Sequence, residues 1–343
     1  MVEDMNNNSL ILNTLCQLTA THYTKSFDYK WFVDTFFQGK CSVTSIVDLP
    51  YLPVRALKEF DLKSIPDDNV YKIMKSSGTT GQFSKIYLDR DTANAQSKAL
   101  IEITKNTLGR SRLPMLIIDS ERTIRDRLMF SARTAAINGF SIFARERFFS
   151  LDNDFILDFK KTKEFINKNK NQTILIFGFT SFIWEKLLIE LENKGEILDL
   201  SNSILLHGGG WKKLSHLGVS NDKFKKAIKQ YTGCGSVHNY YGMVEQTGSI
   251  FMECKYGKMH ASRYSEILVR DQNTLAVVAD GEVGLLQVIS TLPKSYPGHS
   301  LLTEDVGRVW HNPVCQCGDK GTVVEVLGRV AAAEVRGCSD AYN

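Results

Sequence analysis

The sequence predicts a layered α/β fold whose C-terminal third is rich in β-strands. From residue 70 to residue 206, short runs of β-branched and aromatic residues alternate with segments of helical length, which is typical of helices packed on a sheet. After Ser236 the strand-like runs come closer together and their connections contain more glycine, which indicates antiparallel hairpins or a small barrel. With 43% hydrophobic and 23% charged residues, the chain has the composition of a globular protein.

The first predicted element is an amphipathic helix over residues 26–38, where four aromatic residues recur at helical spacing and a glycine follows. We interpret it as a packing helix. The aromatic residues are Phe27, Trp31, Phe32 and Phe36. Later helical segments are 91–108, 154–168 and 181–193, and the predicted strands are 70–75, 85–88, 115–119, 140–144, 173–177, 203–206, 284–290 and 321–327.

Charge and terminal composition argue against several classes of protein. The 42 basic and 38 acidic residues give a net charge of +4, which is too even for a nucleic-acid binder or a binder of anionic membranes. Residues 1–8 are acidic and rich in asparagine, unlike a secretory leader, so we expect a cytoplasmic location. The longest apolar run, residues 174–184, is shorter than the ~18 residues that span a membrane. The odd number of seven cysteines favours metal ligation or catalysis over disulfides.

Residues 76–85, SSGTTGQFSK, lie between two predicted strands and have the composition of a phosphate-binding loop. Glycines let the backbone approach an anion, and hydroxyls with one ammonium group can complete the cradle. The loop is not of the Walker type, because Lys85 comes four residues after Gly81 and leads into a strand. A polar hairpin is the alternative. The candidate ATP-binding residues here are Ser76, Ser77, Gly78, Thr79, Thr80 and Gly81, with Lys85 as a catalytic candidate.

Together with two downstream motifs, this loop resembles the adenylate-forming superfamily of acyl-CoA synthetases, luciferases and adenylation domains. Residues 238–248, HNYYGMVEQTG, are similar to the Tyr-Gly-x-x-Glu motif, and residues 303–307, TEDVG, are similar to the segment whose aspartate holds the ribose. The resemblance implies the large N-terminal domain of that fold. It also implies an ATP-dependent enzyme that joins a carboxylic acid to AMP and releases pyrophosphate.

The resemblance also implies a role for individual residues, each of which could alone be an ordinary surface or turn residue. Glu245 would coordinate the Mg²⁺ that bridges the phosphates, and Asp305 would accept hydrogen bonds from the ribose. Such chemistry needs charge neutralisation and an in-line approach more than a protein nucleophile. The remaining candidates are Tyr241, which would stack near adenine, the backbone of Gly208, Gly209 and Gly210 beside the adenine, Tyr240 and Gly242 of the second motif, and Arg329.

A zinc site is predicted from Cys254, His260, Cys315 and Cys317. Three thiolates and an imidazole form a normal structural zinc tetrahedron. The spacing differs from that of zinc fingers, so two unrelated pairs of thiols are the alternative. Phenylacetate-CoA-ligase-like members of the superfamily carry a similar arrangement, and this resemblance favours structural Zn²⁺.

The C-terminal sequence resembles the LuxE family of acyl-protein synthetases. Residues 330–333, VAAA, replace the usual acidic hinge, and the chain stops at Asn343, so we expect the C-terminal lid domain to be absent. Residues 328–339 contain Gly-Arg-Val and end in Gly-Cys-Ser. The resemblance implies that the acyl group passes from AMP to the thiol of Cys338 and then to a partner acyl reductase. A cysteine in a disordered tail is the alternative.

We therefore expect a layered α/β core with a helical start over residues 1–235, a β-rich subdomain with the zinc site over residues 236–330, and a mobile tail over residues 331–343. The aromatic run 177–184 lies where family members form the acyl pocket, although core packing would give the same pattern. The expected substrate is a carboxylic acid, and only the resemblance favours a fatty acid. Alternative functions are a phenylacetate-CoA-ligase-like acyl-CoA ligase without its lid and an inactive nucleotide-binding scaffold. The sequence does not identify the oligomeric state.

Overall fold

A computed structural model describes residues 2–76, 83–125, 132–210 and 218–330 of the chain. Internal contacts divide the chain into two units. The first unit combines residues up to 103 with those from 242 onward, and the second unit contains residues 104–241. The predicted ranges 1–235, 236–330 and 331–343 followed the change in composition along the chain and stay a prediction.

Helices and strands are numbered here in chain order. The helices are α1 (Val2–Lys25), α2 (Phe27–Phe37), α3 (Ala56–Glu59), α4 (Arg90–Leu108), α5 (Arg122–Arg125), α6 (Ala132–Phe140), α7 (Phe159–Lys168), α8 (Thr180–Phe182), α9 (Ile189–Lys194) and α10 (Asn221–Thr232), with a π-helical stretch, Ile183–Leu188, between α8 and α9. The strands are β1 (Leu52–Pro53), β2 (Lys72–Lys75), β3 (Lys85–Leu88), β4 (Leu113–Ser120), β5 (Ala144–Leu151), β6 (Ile174–Phe179), β7 (Ser203–Gly208), β8 (Ser236–Tyr241), β9 (Phe251–Glu253), β10 (Met259–His260), β11 (Ser265–Arg270), β12 (Gly284–Ser290), β13 (Ser300–Trp310) and β14 (Val323–Arg329).

The second unit is built on a parallel sheet with the strand order β8-β7-β6-β4-β5. Every residue of β6 is buried, as expected of a parallel strand that is covered on both faces. Residues of β6, α7 and α10 share one apolar core, in which Leu205 and Phe224 are fully buried. The predicted layered α/β fold is confirmed.

One predicted strand of this unit, residues 140–144, is wrong. Phe140 ends α6, residues Ser141–Phe143 form a 3₁₀ turn, and β5 begins at Ala144. The Ser141 hydroxyl donates to the carbonyl of Ile137, so the helical pattern continues through the turn. A short apolar run fits a strand and a buried helix end equally well, and periodicity alone could not separate them.

The first unit carries an antiparallel sheet with the strand order β11-β12-β13-β14-β10-β9, and β1 pairs in parallel with β13. A separate two-stranded hairpin joins β2 to β3. The β-rich character predicted after Ser236 is confirmed here. The predicted strands 85–88 and 284–290 coincide with β3 and β12, whereas the predicted strand 321–327 begins two residues later, at Val323.

Helix α2 has the predicted position, but its orientation contradicts the interpretation as an aromatic packing helix. Its fully buried residues are Tyr29 and Val33. Phe27, Trp31 and Phe36 are 84%, 49% and 60% exposed. The face that carries Tyr29 and Val33 therefore lies against the unit, and most of the aromatic face points to solvent.

Helix α1 is anchored by buried polar side chains to residues near the other end of the sequence. His299 Nε2 lies 2.9 Å from the Thr19 hydroxyl, whose own proton goes to the carbonyl of Leu15. His22 Nε2 donates to the carbonyl of Pro293 over 3.1 Å, and its Nδ1 lies 2.8 Å from the Ser64 hydroxyl. Because both histidines are buried, desolvation lowers the pKa of His22 to about 4 and that of His299 well below its ordinary value.

Within the described part of the chain, no helix combines the length and the apolar character that a membrane crossing requires. The cytoplasmic location expected from the sequence stays a prediction.

Candidate functional site

The predicted phosphate loop sits on the β2–β3 hairpin. Lys75 pairs with Lys85 at the end of the hairpin. Beyond this pair, the backbone N–H of Ser76 donates to the carbonyl of Ser84 over 3.2 Å, and the N–H of Ser84 donates to the Ser76 hydroxyl over 3.2 Å. These bonds close the base of the loop. The other loop candidates, Ser77, Gly78, Thr79, Thr80 and Gly81, lie outside the described residues.

The structure places Glu245 at the base of this loop. Glu245 belongs to the 3₁₀ turn Val244–Gln246, and its side chain is buried. Glu245 Oε1 accepts a hydrogen bond of 2.9 Å from the hydroxyl of Ser84, which is also buried. Two motifs that are far apart in the sequence are therefore joined in the first unit. Ser84 was part of the loop string, but its role in holding the carboxylate was missed, since it depends on a tertiary contact.

Contacts on both flanks fix the turn that carries Glu245. The Tyr296 hydroxyl donates to the backbone carbonyl of Glu245 over 2.8 Å. The Gln246 amide donates to the carbonyls of Val288 and Gly298 over 3.0 and 2.8 Å. Gly248 has a φ of +86°, and a Cβ there would lie 2.6 Å from a backbone oxygen of α4, so this glycine of the motif is required by packing. These contacts fix the backbone that carries the carboxylate.

Asp305 and Arg329 face each other on neighbouring strands. They are paired in register on β13 and β14, and Arg329 Nε donates to Asp305 Oδ1 over 2.9 Å. The Thr303 hydroxyl accepts from the backbone N–H of Asp305 over 3.0 Å. The aspartate and the arginine that were selected from separate motifs thus form one ion pair in the first unit.

The second unit contains the glycine loop. Gly208 ends β7 opposite Tyr240 of β8. A Cβ on Gly208 would lie 2.7 Å from the Tyr240 ring, and a Cβ on Gly209, whose φ is +77°, would lie 2.6 Å from the ring of Phe179. Both positions therefore exclude a side chain. Tyr240 itself is buried against Phe140, with ring centroids 4.9 Å apart, so it belongs to the aromatic core of this unit, whereas Tyr241 is half-buried.

A buried hydroxyl supports the same glycine loop. The Thr180 hydroxyl donates to the carbonyl of Gly208 over 3.1 Å and lies 2.9 Å from Nδ1 of His207. Because its own proton is used on Gly208, the Thr180 oxygen accepts from Nδ1–H, which fixes the histidine tautomer. Complete burial lowers the pKa of His207 to about 3, so the ring is neutral. Sequence reasoning missed both residues, because they carry no recognisable motif.

Of the aromatic run 177–184, Phe177 is fully buried and stacks in the core against Phe140, with centroids 4.8 Å apart. Phe182 lies under the guanidinium of Arg133 at 3.9 Å. That arginine also forms a buried ion pair with Asp119, with 3.5 Å between Nε and Oδ2. The run thus has at least a packing role within the second unit.

The four predicted zinc ligands come together in the first unit. Their ligand atoms all lie within 4.8 Å of one another. Cys254 Sγ and Cys315 Sγ are 3.8 Å apart, and Cys317 Sγ lies 3.5 Å from His260 Nε2. A zinc tetrahedron with ordinary bond lengths requires about 3.8 Å between two sulfurs and about 3.6 Å between sulfur and nitrogen. Both of these distances are compatible with a tetrahedral zinc site.

The surroundings of this cluster also suit a metal. His260 Nδ1 lies 3.2 Å from the carbonyl of Gly321. Donation to that carbonyl leaves the lone pair of Nε2 facing the sulfurs, which is the arrangement that metal-ligating histidines adopt. The backbone N–H of Cys317 lowers the pKa of the Cys315 thiol to about 7, which favours a thiolate there, whereas desolvation raises the pKa of the Cys317 thiol to about 11. The N–H of Asp319 donates to Cys317 Sγ over 3.4 Å.

The remaining candidates can now be placed. Gly242 opens the first unit's second segment and is exposed. Lys85 is an exposed residue at the start of β3. Cys338, the predicted acyl acceptor, lies outside the described residues.

Comparison with known proteins identifies the family. The sequence model of the LuxE acyl-protein synthetases matches residues 3–343. The chain belongs to the LuxE family. The resemblance drawn from the sequence is thus confirmed, and this LuxE-family chain is an acyl-protein synthetase, an adenylate-forming ligase that uses ATP.

Two characterised relatives support the assignment. A long-chain-fatty-acid–luciferin-component ligase of Aliivibrio fischeri is 23% identical over 330 residues, which cover 93% of this chain and 84% of the relative. The ligase with the same name from Vibrio harveyi is 24% identical over 328 residues, which cover 93% and 83%.

Solved structures show the same fold. An open conformation of 2-hydroxyisobutyryl-CoA ligase in complex with 2-HIB-AMP and CoA matches with a TM-score of 0.70 and 17% identity, over 94% of this LuxE-family chain and 74% of the ligase. ATP-bound MatB from Rhodopseudomonas palustris matches with a TM-score of 0.51 and 17% identity, over 78% and 49%. The predicted adenylate-forming fold is confirmed.

Proposed function

We propose that this acyl-protein synthetase activates a long-chain fatty acid and passes the acyl group to the thiol of Cys338. In the first step a carboxylate oxygen of the acid attacks the α-phosphorus of ATP, and pyrophosphate leaves. In the second step the thiolate of Cys338 attacks the acyl carbon, and AMP leaves with the carboxylate oxygen. An acyl reductase then takes the acyl group from the thioester. The substrate class rests on the names of the two relatives.

The hydrogen bond between Ser84 and Glu245 carries the proposal. It holds a buried carboxylate at the base of the loop that would receive the phosphates. Carboxylate oxygens are preferred ligands of Mg²⁺, and Glu245 is the residue that would hold it. When bound, Mg²⁺ would neutralise the phosphate charge. The ammonium group of Lys85, which follows Ser84, would add a positive charge to the same loop.

The remaining nucleotide contacts are proposed from the geometry of each unit. Asp305, fixed by Arg329 and Thr303, would accept hydrogen bonds from the ribose hydroxyls. In the second unit, Gly208–Gly210 would offer backbone to the adenine, and Tyr241 would stack near it. These residues bind and orient ATP, and correct orientation alone can supply a large part of the rate enhancement.

We also propose that the cluster of Cys254, His260, Cys315 and Cys317 binds one structural Zn²⁺. The supporting observations are the interatomic distances and the hydrogen bond of His260 Nδ1. Four protein ligands leave no open coordination position, so the ion would have no catalytic role. It would join the β9–β10 turn to the loop that precedes β14.

One experiment separates the proposed function from its alternatives. Purified protein is incubated with Mg-ATP and a series of fatty acids without CoA, pyrophosphate release is followed, and intact mass reports an acyl adduct. We expect an adduct on the wild type and on the control Cys41→Ser, and none on Cys338→Ser. Pyrophosphate release without an adduct would favour a CoA ligase. No release with any acid would favour a nucleotide-binding scaffold.

A further inference from the structure

A surface of the first unit exposes four large aromatic side chains. Phe27 is 84% exposed, Phe36 60%, Trp31 49% and Phe60 38%. The first three belong to α2, and Phe60 directly follows α3. We call these four residues the α2 aromatic patch. Single exposed apolar residues are normal, but a contiguous group of this size marks an interaction surface.

The rings of the patch are neighbours in space. The centroid of Trp31 lies 6.3 Å from that of Phe60 and 6.2 Å from that of Phe36. Phe27 and Trp31 are four residues apart on one helix and therefore occupy adjacent positions on its surface. The patch continues inward through Phe32, whose ring lies 4.7 Å from Phe36. It is one continuous surface.

Attachment of α2 to its own unit does not require these exposed rings. The helix is held through Tyr29, which is buried with its ring 5.8 Å from that of His299, and through the fully buried Val33. Phe27 and Trp31 lie outside this contact, so a partner that covers the patch would remove their exposed apolar surface from water.

One pair of charges beside the patch is neutralised within α2. Lys30 and Asp34 form an ion pair of 2.6 Å, and the Tyr23 hydroxyl donates to Asp34 over 2.6 Å. This pair does not select a charged partner, and α2 lacks the lysine- and arginine-rich face of helices that lie on membranes. Lys30 and Asp34 would therefore not repel the same two residues of a second copy.

The patch can form the centre of a contact between two copies, although it is smaller than a whole interface. From the full surface of aromatic side chains, the four residues expose roughly 450 Å² of apolar area. A stable interface buries about 800 Å² on each partner, with an aromatic centre and a polar rim. The patch supplies such a centre, and the surrounding polar residues of α2 supply part of a rim.

We propose that the α2 aromatic patch is the contact surface between two copies of this chain, related by a two-fold axis. In such an arrangement each patch packs against the same patch of the other copy. Trp31 and Phe27 would carry most of the binding free energy, because exposed tryptophan and its aromatic neighbours are typical interface anchors.

Sedimentation velocity on the full chain across a dilution series tests the proposal. We expect the wild type to reach twice the 38.7 kDa chain mass, and the double variant Phe27→Ser/Trp31→Ser to weaken dimerisation by about 30-fold or more. The control Ile197→Ser removes an apolar side chain that is 64% exposed elsewhere and should leave the dimer intact. Because both patch residues are exposed, the thermal melting of the double variant should match that of the control.

Two results would overturn the proposal. One is a wild type that stays monomeric at the highest concentration, whether or not it binds phosphatidylcholine vesicles through the patch. The other is a double variant that dimerises as strongly as the wild type. If the double variant melts early, Phe36→Ser serves as the second test, with the same expected loss of dimer.

Discussion

The hydroxyl of Ser84 donates a 2.9 Å hydrogen bond to the carboxylate of Glu245, although 161 residues separate the two in the sequence. The bond lies inside one unit and joins the base of the phosphate loop to the turn of the second motif. It places a buried carboxylate at a defined point of the candidate site, and this placement is the basis of the first prediction.

Glu245→Gln should separate catalysis from stability. The amide oxygen can still accept the Ser84 hydrogen bond, so we expect a loss of less than about 1 kcal/mol in the free energy of unfolding. Without the carboxylate charge, pyrophosphate release should fall by about 100-fold. Urea unfolding and the release assay measure the two effects. The control Glu102→Gln changes a carboxylate that accepts from Tyr264 and Arg263, and should retain activity. Full activity of Glu245→Gln would contradict the role.

Thr180→Val should weaken ATP binding through the glycine loop. The substitution keeps the shape of the side chain but removes the hydrogen bonds to Gly208 and His207. We expect KM for ATP to rise by about tenfold with a smaller change in kcat, since one buried hydrogen bond is worth about 1–2 kcal/mol. Thr180→Ser, which keeps the hydroxyl, should have the wild-type KM. A loss of stability in Thr180→Val but not in Thr180→Ser, with KM unchanged in both, would show that the hydroxyl only supports the fold.

Metal content should follow the cysteine cluster. Elemental analysis should find about one zinc per chain in the wild type and in Cys41→Ser, and much less in Cys315→Ser. A strong chelator should lower the melting temperature of the wild type, because bound metal contributes directly to folding stability. The same chelator should have little effect on Cys315→Ser. Zinc-free wild-type protein with an unchanged melting temperature in chelator would rule out the site.

Stability should decrease on mild acidification. Burial lowers the pKa of His22 to about 4, whereas an unfolded histidine titrates near 6.5. Between these values the unfolded chain binds a proton that the folded chain does not, so stability is lost as the pH falls. From pH 7 to pH 5 this residue accounts for about 2 kcal/mol of the free energy of unfolding.

Urea unfolding at both pH values measures this loss. The variant His22→Gln should reduce the pH dependence by the His22 contribution, whereas the control His311→Gln, at an exposed position paired with Asp280, should largely preserve it. A wild-type curve that is flat between pH 7 and pH 5 would contradict the prediction.

Motifs and strands could be predicted from the sequence wherever local chemistry determines them. Strand β3 begins at Lys85 as predicted, and the three phosphate and ribose motifs occur in the order that the family requires. The pairing of Asp305 with Arg329 follows once β13 and β14 are neighbours. The clustering of Cys254, His260, Cys315 and Cys317 was predicted from the ligand types together with the family resemblance.

Other features could not be predicted, because they depend on tertiary packing. Helical spacing located α2, but periodicity does not say which face of a helix is buried. In the structure the face with Tyr29 and Val33 is buried, and Phe27 and Trp31 are exposed. Thr180 and His207 form no motif, and their role appears only when β6 and β7 lie side by side. The role of Ser84 likewise depends on a tertiary contact, its hydrogen bond to Glu245.

The anchoring of α1 has a consequence for how the chain folds during synthesis. Thr19 meets His299, 280 residues later, so α1 reaches this partner only after the segment around His299 has left the ribosome. The unit of residues 104–241 is continuous in sequence and can fold earlier. The first unit must bring its two segments together across that intervening length, and contacts of such long range slow folding. In a nascent chain of this LuxE-family protein, helix α1 therefore stays without these contacts until the segment around His299 has been made.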